Sequence, residues 1–224
     1  MERVEVLFED RGVEAYRETH RYQRGVRDGV ISHAHPSTLI QVTHPPVITI
    51  GRSGAHTDIL AGADRLKQAG IECIDVERGG KVTYHGPGQV VFYPVFDLRA
   101  FGRDINLFLR SLERVVITAL AQFGITAVPG PEAGIFAGGR KVGSIGIAVR
   151  RWVSWHGVSL NVRRDANFGL IRPCGLSADQ VTSIKELGAD ITVAAAGRAM
   201  TEAFIRELGL SVTAAAPDLV ESPR

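Results

Sequence analysis

The chain has 224 residues, 45% of them hydrophobic, enough for one sizeable core and somewhat long for a minimal domain. Lys and Arg number 26 against 24 Asp and Glu, a formal net charge of +2, and this near balance excludes a general nucleic-acid binder, which carries a marked basic excess. The opening "MERVEVLFEDRGVE" is charged and lacks an apolar h-region, and no window reaches the length of a membrane span, so a cytoplasmic protein with no membrane or nucleic-acid partner is expected.

In chain order, "VEVLFE" (Val4 to Glu9) predicts a short strand, and "GVEAYRETHRYQRGVRDGV" has helical spacing of Val13, Tyr16 and His20. "STLIQVTH" and "VITIGRS" predict two strands separated by Pro45-Pro46, a helix breaker and natural turn. A short helix, "DRLKQAG", closes on Gly70. Strands "IECIDVE" and "KVTYH…QVVFYPVFDL" follow, interrupted by Gly79, Gly80, Gly86 and Gly88. Ile105 to Gly124 is the clearest helix, with apolar residues at three- and four-residue steps and Gly124 placed as its C-cap. "KVGSIGIAVRR" and "VSWHGVSLNVRR" predict a hairpin turning at Arg150 to Trp152. The last helix starts at Thr192 as N-cap, and the chain from about residue 214 reads as a frayed tail.

No repeat, low-complexity tract or linker interrupts the pattern, which predicts one domain over residues 1–224. Strands come in adjacent runs broken by a few helices, not in strict βαβ alternation. The expected class is therefore α/β of the α+β type, with a mixed, largely antiparallel sheet and packed helices.

Three segments could carry chemistry. "RGGKVTYHGPGQ" (Arg78 to Gln89) sets four glycines beside Arg78, Thr83, Tyr84 and His85; glycine inside a strand marks a bulge or a close approach of backbone to something else. "AGGRKVGSIGIAV" (Ala137 to Val149) is a turn and a strand with Lys141, Gly143 and Ile145 on one face and Val142, Ser144 and Gly146 on the other. The third is "RPCGLSADQVTS", preceded by "HGVSLNV". Two cysteines form no disulfide framework, and without a CxxC they make no structural zinc site. Cys73, in a β-branched strand, reads as a small core residue. Cys174 reads either as a core residue or as a nucleophile: a thiol with a pKa of about 8.5 needs a cation such as Lys141, or a base such as His85 or His156, to favour the thiolate.

Together, "RGGKVTYHGPGQVVFYPVFDL", "GRKVGSIGIAV", "HGVSLNV" and "PCGLSADQVTS" closely resemble the lipoyl(octanoyl) transferases, which carry an octanoyl group to proteins in lipoate biosynthesis. The match runs, with gaps, from about "THPPVITIGRSG" to "VTSIKELG". The resemblance implies the fold of biotin/lipoate protein ligase catalytic domains. It implies that Cys174 carries the acyl group as a thioester and that Lys141 lowers the thiol pKa and assists proton transfer. It also places Arg78, Gly79, Gly80, Lys81, Val82, Thr83, Tyr84, His85, Ser144, Ile145, Gly146, Gly157, Val158 and Ser159 along the acyl-substrate pocket, with His156 in support.

The implied donor is octanoyl-acyl carrier protein; the implied acceptors are lipoyl domains of 2-oxoacid dehydrogenase complexes and the glycine cleavage H protein. Exchange of one thioester for another is nearly balanced, and amide formation then runs downhill, so no ATP, cofactor or metal is expected, and the enzyme is expected to be a monomer. Arg150, Arg151, Arg163 and Arg164, at strand ends, are either steering charges for an acidic carrier or ordinary solvated residues. Two rival readings are an ATP-dependent lipoate or octanoate protein ligase on the same fold and a non-catalytic acyl-binding module.

Overall fold

The computed structural model describes residues 3–130, 134–172 and 176–214. The expected tail (215–224) and Cys174 with its neighbours Pro173 and Gly175 lie outside the described residues. Strand β1 (Val4–Val13) leads into helix α1 (Tyr16–Ile31), then β2 (Thr38–Thr43), β3 (Val47–Ile50), the short α2 (Ala63–Gln68), β4 (Glu72–Asp75), β5 (Val82–His85) and β6 (Gln89–Val95). Helix α3 (Ile105–Ala121) is followed by β7 (Val128–Pro129), β8 (Gly134–Ala137), β9 (Arg140–Arg150) and β10 (Val153–Asn161), and α4 (Val193–Leu208) by β11 (Leu210–Ala214).

Eight strands form one sheet in the order β11-β1-β2-β6-β10-β9-β8-β7, and β4-β3-β5 form a second. Only β1–β11, β1–β2 and β3–β4 pair in parallel among the described strands, so the sheet is mixed and largely antiparallel, the class expected. Period-two alternation sorts the apolar residues. Leu39, Val90 and Phe92 pack on one face against Leu112 of α3 and Met200 and Phe204 of α4. Ile40, Val91, Tyr93 and Val95 pack on the other against Val26 and Val30 of α1. With both faces covered, β6 reads as a nearly continuous apolar run, and β2 is buried along most of its length. A third cluster, around Ile48, Val82, Tyr84 and Phe168, fills the space behind the small sheet; Cys73, half-buried, packs against it.

Asp104 and Thr192 cap α3 and α4 by accepting hydrogen bonds from the N–H groups of Leu107 (2.9 Å) and Ala195 (3.1 Å). The C-cap of α3 is Gln122 rather than Gly124, which sits two residues on in the left-handed region, φ 71°. The β9–β10 turn is where it was expected, with Arg151 (φ 50°) and Trp152 (φ 69°) both left-handed, as a two-residue hairpin requires. Strand β11, missed in the sequence, adds a parallel edge to β1.

Candidate active site

A cavity of about 310 Å³ opens where the β9–β10 hairpin faces the small sheet. Lys141, Ser144, Ile145 and Gly146 of β9 form one wall, and His156, Gly157, Val158 and Ser159 of β10 continue it. Arg78, Gly80 and Lys81 from the glycine-rich loop, with Thr83 and His85 of β5, form the opposite side. Thirteen of the sequence-selected residues therefore converge on one space. Val82 and Tyr84 do not join them: strand alternation turns both side chains into the core behind the small sheet. Gly79 lies beside the wall, its N–H bonded to the carbonyl of Ile147 at 2.9 Å. Tyr16, Ser53, Val91 and Tyr93 complete the lining. As lone apolar or hydroxyl residues on ordinary elements, they carried no separate signal in the sequence.

Lys141 is only 4% exposed. Gly134 on β8 makes room for it: a Cβ there would stand 2.5 Å from Lys141 Cε and 2.9 Å from Nζ. Gly157 has a different reason, since a Cβ at that position would meet the Phe92 carbonyl oxygen of β6 at 2.1 Å. Arg78 is also buried and ties the loop to β3, donating from Nη2 to the Thr49 carbonyl and hydroxyl, both at 2.8 Å.

The proton on His85 can be placed from its neighbours. The Thr182 carbonyl can only accept, so Asn161 donates to it through Nδ2 (3.0 Å). Asn161 Oδ1 then accepts from Gln89 Nε2 (2.9 Å), which also donates to the Tyr84 carbonyl (3.0 Å). Gln89 Oε1 is left as an acceptor, so His85 carries its proton on Nδ1 and donates at 2.9 Å. Its Nε2 keeps the lone pair. Similarly, His44 donates from Nδ1 to the Glu14 carbonyl, and its Nε2 accepts from the Tyr93 hydroxyl, each at 2.8 Å. Burial pushes His85 down to about 3 and His44 and His156 to about 4, so all three rings are neutral at pH 7. Desolvation raises the Tyr16 and Tyr93 hydroxyls above their ordinary range.

Both flanks of residues 173–175 are anchored, and the downstream one is tied to the cavity wall. On one side, the Arg172 N–H donates to the Asp58 carbonyl at 2.7 Å and Ile171 bridges Ile59. Tyr84 anchors the preceding turn, donating its hydroxyl to Asp165 Oδ2 at 2.6 Å while Phe168 packs edge-on against its ring. On the other side, Val181 bridges Lys141, and the Thr182 N–H donates to the Lys141 carbonyl at 2.9 Å. Cys174 itself lies outside the described residues.

The four arginines do not make one patch. Arg150 and Arg151 sit at the hairpin turn, and Arg163 and Arg164 lie beyond the far end of β10, about 30 Å away at ~3.3 Å per strand residue. Arg163 pairs with Asp190 (2.7 Å), Arg164 with Glu186 (2.8 Å) and Arg150 more loosely with Asp28 (4.0 Å). Among the described residues, no helix is long and apolar enough to cross a membrane.

Comparison with known proteins agrees with this fold. Residues 15–205 match the model of the lipoyl protein ligase A/B catalytic domain. An octanoyltransferase of Caldanaerobacter subterraneus subsp. tengcongensis is 43% identical over 196 residues, covering 86% of this chain and 85% of its own. Among solved structures, lipoate-protein ligase A bound with ATP superposes with a TM-score of 0.73 at 18% identity, over 96% of this chain and 90% of the other. A bipartite lipoate protein ligase from Thermoplasma acidophilum, studied with its E2 lipoyl domain, gives a TM-score of 0.71 at 17% identity over 97% and 88% of the chains. The chain belongs to the lipoyl protein ligase A/B catalytic-domain family and, within it, to the octanoyltransferases, acyltransferases of protein lipoylation.

Proposed function

We propose that this enzyme takes the octanoyl group from octanoyl-acyl carrier protein onto Cys174 as a thioester and passes it to the ε-amine of a lysine on a lipoyl domain. The observation that carries the reading is the buried Lys141 in the wall of a mostly apolar cavity, with Val181 and Thr182, a few residues after Cys174, paired to its backbone. In the first step the thiolate attacks the donor carbonyl, and the tetrahedral intermediate collapses by expelling the carrier's thiol. The Lys141 ammonium favours the thiolate and protonates the departing sulfur. In the second step the neutral amine attacks the acyl-enzyme, Cys174 leaves as thiolate, and the amine's proton passes to Lys141. The backbone N–H groups of the glycine-rich walls are the candidates for holding the oxyanion. Ile145 and Val158 give the acyl chain an apolar slot that keeps water from the thioester.

The acceptor reading draws on the lipoyl-domain partner of the archaeal ligase and on octanoyltransferase relatives. Donor and energy source are separated by one assay: octanoylation of a lipoyl domain from octanoyl-acyl carrier protein without ATP, against free octanoate with ATP. Transfer in the first mixture alone supports the thioester route. Transfer in the second alone assigns the enzyme to the ligases.

A further inference from the structure

A polar atom buried beside the cavity lacks a partner. His156 Nε2 is enclosed and makes no hydrogen bond; Glu77 Oε2, on the strand-to-loop segment before the double glycine, lies 3.7 Å away, beyond hydrogen-bonding reach. His20, projecting from α1, brings its Nε2 to 3.0 Å from the same carboxylate oxygen. One ligand atom from each of His20, Glu77 and His156 lies within 4.8 Å of the other two, and the two imidazoles stack with centroids 5.5 Å apart. His156 holds this place in mid-strand with φ 56°, a left-handed conformation that a non-glycine residue rarely adopts. Gln23, one turn along α1 from His20, accepts from the His156 N–H at 2.9 Å and fixes it there.

We propose that His20, Glu77 and His156 form a binding site for a divalent transition-metal cation of the zinc type. Two imidazoles and a carboxylate are the donors such a cation takes, at about 2.0–2.2 Å each, which sets ligand atoms roughly 3–3.5 Å apart. The two separations to Glu77, 3.0 and 3.7 Å, lie near that spacing, and the third, between the two rings, is within 4.8 Å. A hydrogen-bonded cluster satisfies His20 and leaves His156 orphaned, whereas a cation satisfies both rings and the carboxylate. Tyr16, whose hydroxyl lies 3.5 Å from His156 Nδ1, stands where an outer-sphere partner orients a metal-bound ring. Magnesium and calcium prefer all-oxygen sites and suit this one poorly. His156 pairs with Ile147, six residues along β9 from Lys141 and about 20 Å away at ~3.3 Å per residue, so the proposal does not rest on the acyl-transfer reading. An occupied site ties α1 to β10 and to the loop before β5.

The test is zinc titration by calorimetry of the tag-free, chelator-stripped full chain carrying Cys73→Ser and Cys174→Ser, so that no thiol competes. The expected result is one equivalent bound, with affinity reduced about ten-fold or more by His20→Ala and by Glu77→Gln. Both replaced side chains are partly exposed, at 17% and 41%, so the variants are expected to fold. Cobalt(II) added to the wild-type chain supplies a second reading: visible d–d bands without thiolate charge transfer support the site. Absence of binding, or binding indifferent to both substitutions, overturns it, as does cobalt absorption dominated by thiolate charge transfer.

Discussion

Lys141 reaches across β8 at the one residue there that has no side chain. The closeness of its Cε to the Cβ position of Gly134, 2.5 Å, makes Gly134 part of the lysine's placement although Gly134 itself is not part of the cavity lining. Gly134→Ala is expected to cost about 1 kcal/mol of stability, because the obstructed atoms end a side chain that is itself buried. It displaces Nζ by about 1 Å, enough to cost on the order of 100-fold in kcat/KM. Steady-state kinetics beside a urea melt checks both; full activity would show that the lysine tolerates relocation.

His85 is held in one tautomer by the chain from the Thr182 carbonyl through Asn161 and Gln89. His85→Ala is expected to slow transfer to the lipoyl domain while the acyl-enzyme still forms. Gln89→Leu leaves the Tyr84 carbonyl and Asn161 Oδ1 without their donor and is expected to destabilise the fold by about 1–3 kcal/mol. Chemical denaturation and single-turnover acylation separate the two effects. An undiminished rate in His85→Ala reduces that residue to scaffolding.

Tyr84 packs behind the small sheet and holds the turn at Asp165 and Phe168. Tyr84→Phe keeps the ring packed against Phe168 and removes the hydroxyl bond to Asp165. The expected loss is about 1–2 kcal/mol of stability, a charge-assisted bond partly exposed to solvent. A lower kcat with an unchanged KM for the donor should accompany it. If stability and kcat both stay put, the anchor is unimportant.

The three buried histidines set an acid limit on the fold. Their folded pKa values, about 3 for His85 and about 4 for His44 and His156, lie below the unfolded value of ~6.5. Between those limits the unfolded chain binds more protons, so stability is complete above pH ~6.5 and falls as pH drops through the window, by about 1 kcal/mol per unit for each ring. Urea midpoints measured from pH 7.5 to 4.5 should decline from pH 6.5 downward, and a flat profile would show these rings protonated in the fold.

Much of this was legible in the sequence, and the gaps have physical causes. Helices α1 and α3 announced themselves by periodicity, α4 by its N-cap Thr192, and the Arg150–Trp152 turn by two adjacent strands with no room for more. Strands β7 and β8, two and four residues long, are too short to show a period. Strand β11 follows α4 through a single glycine and depends on distant pairing with β1. The cavity walls were named by glycine-rich motifs, but motifs select stretches of chain, whereas strand pleating decides which residues face the ligand. Val82 and Tyr84 were selected with Thr83 and His85 and point the other way. Tyr16 came to the cavity, and His20 to the ring of His156, only through the packing of α1 on β10.

Intact-protein mass spectrometry after brief incubation with octanoyl-acyl carrier protein, on wild type and Cys174→Ser, tests the proposed chemistry most directly. The thioester account predicts a gain of one octanoyl group in wild type, discharged by neutral hydroxylamine and by an added lipoyl domain, with neither adduct nor amide product from Cys174→Ser. A wild-type chain that gains no mass, yet octanoylates the lipoyl domain when given ATP and free octanoate, would contradict it.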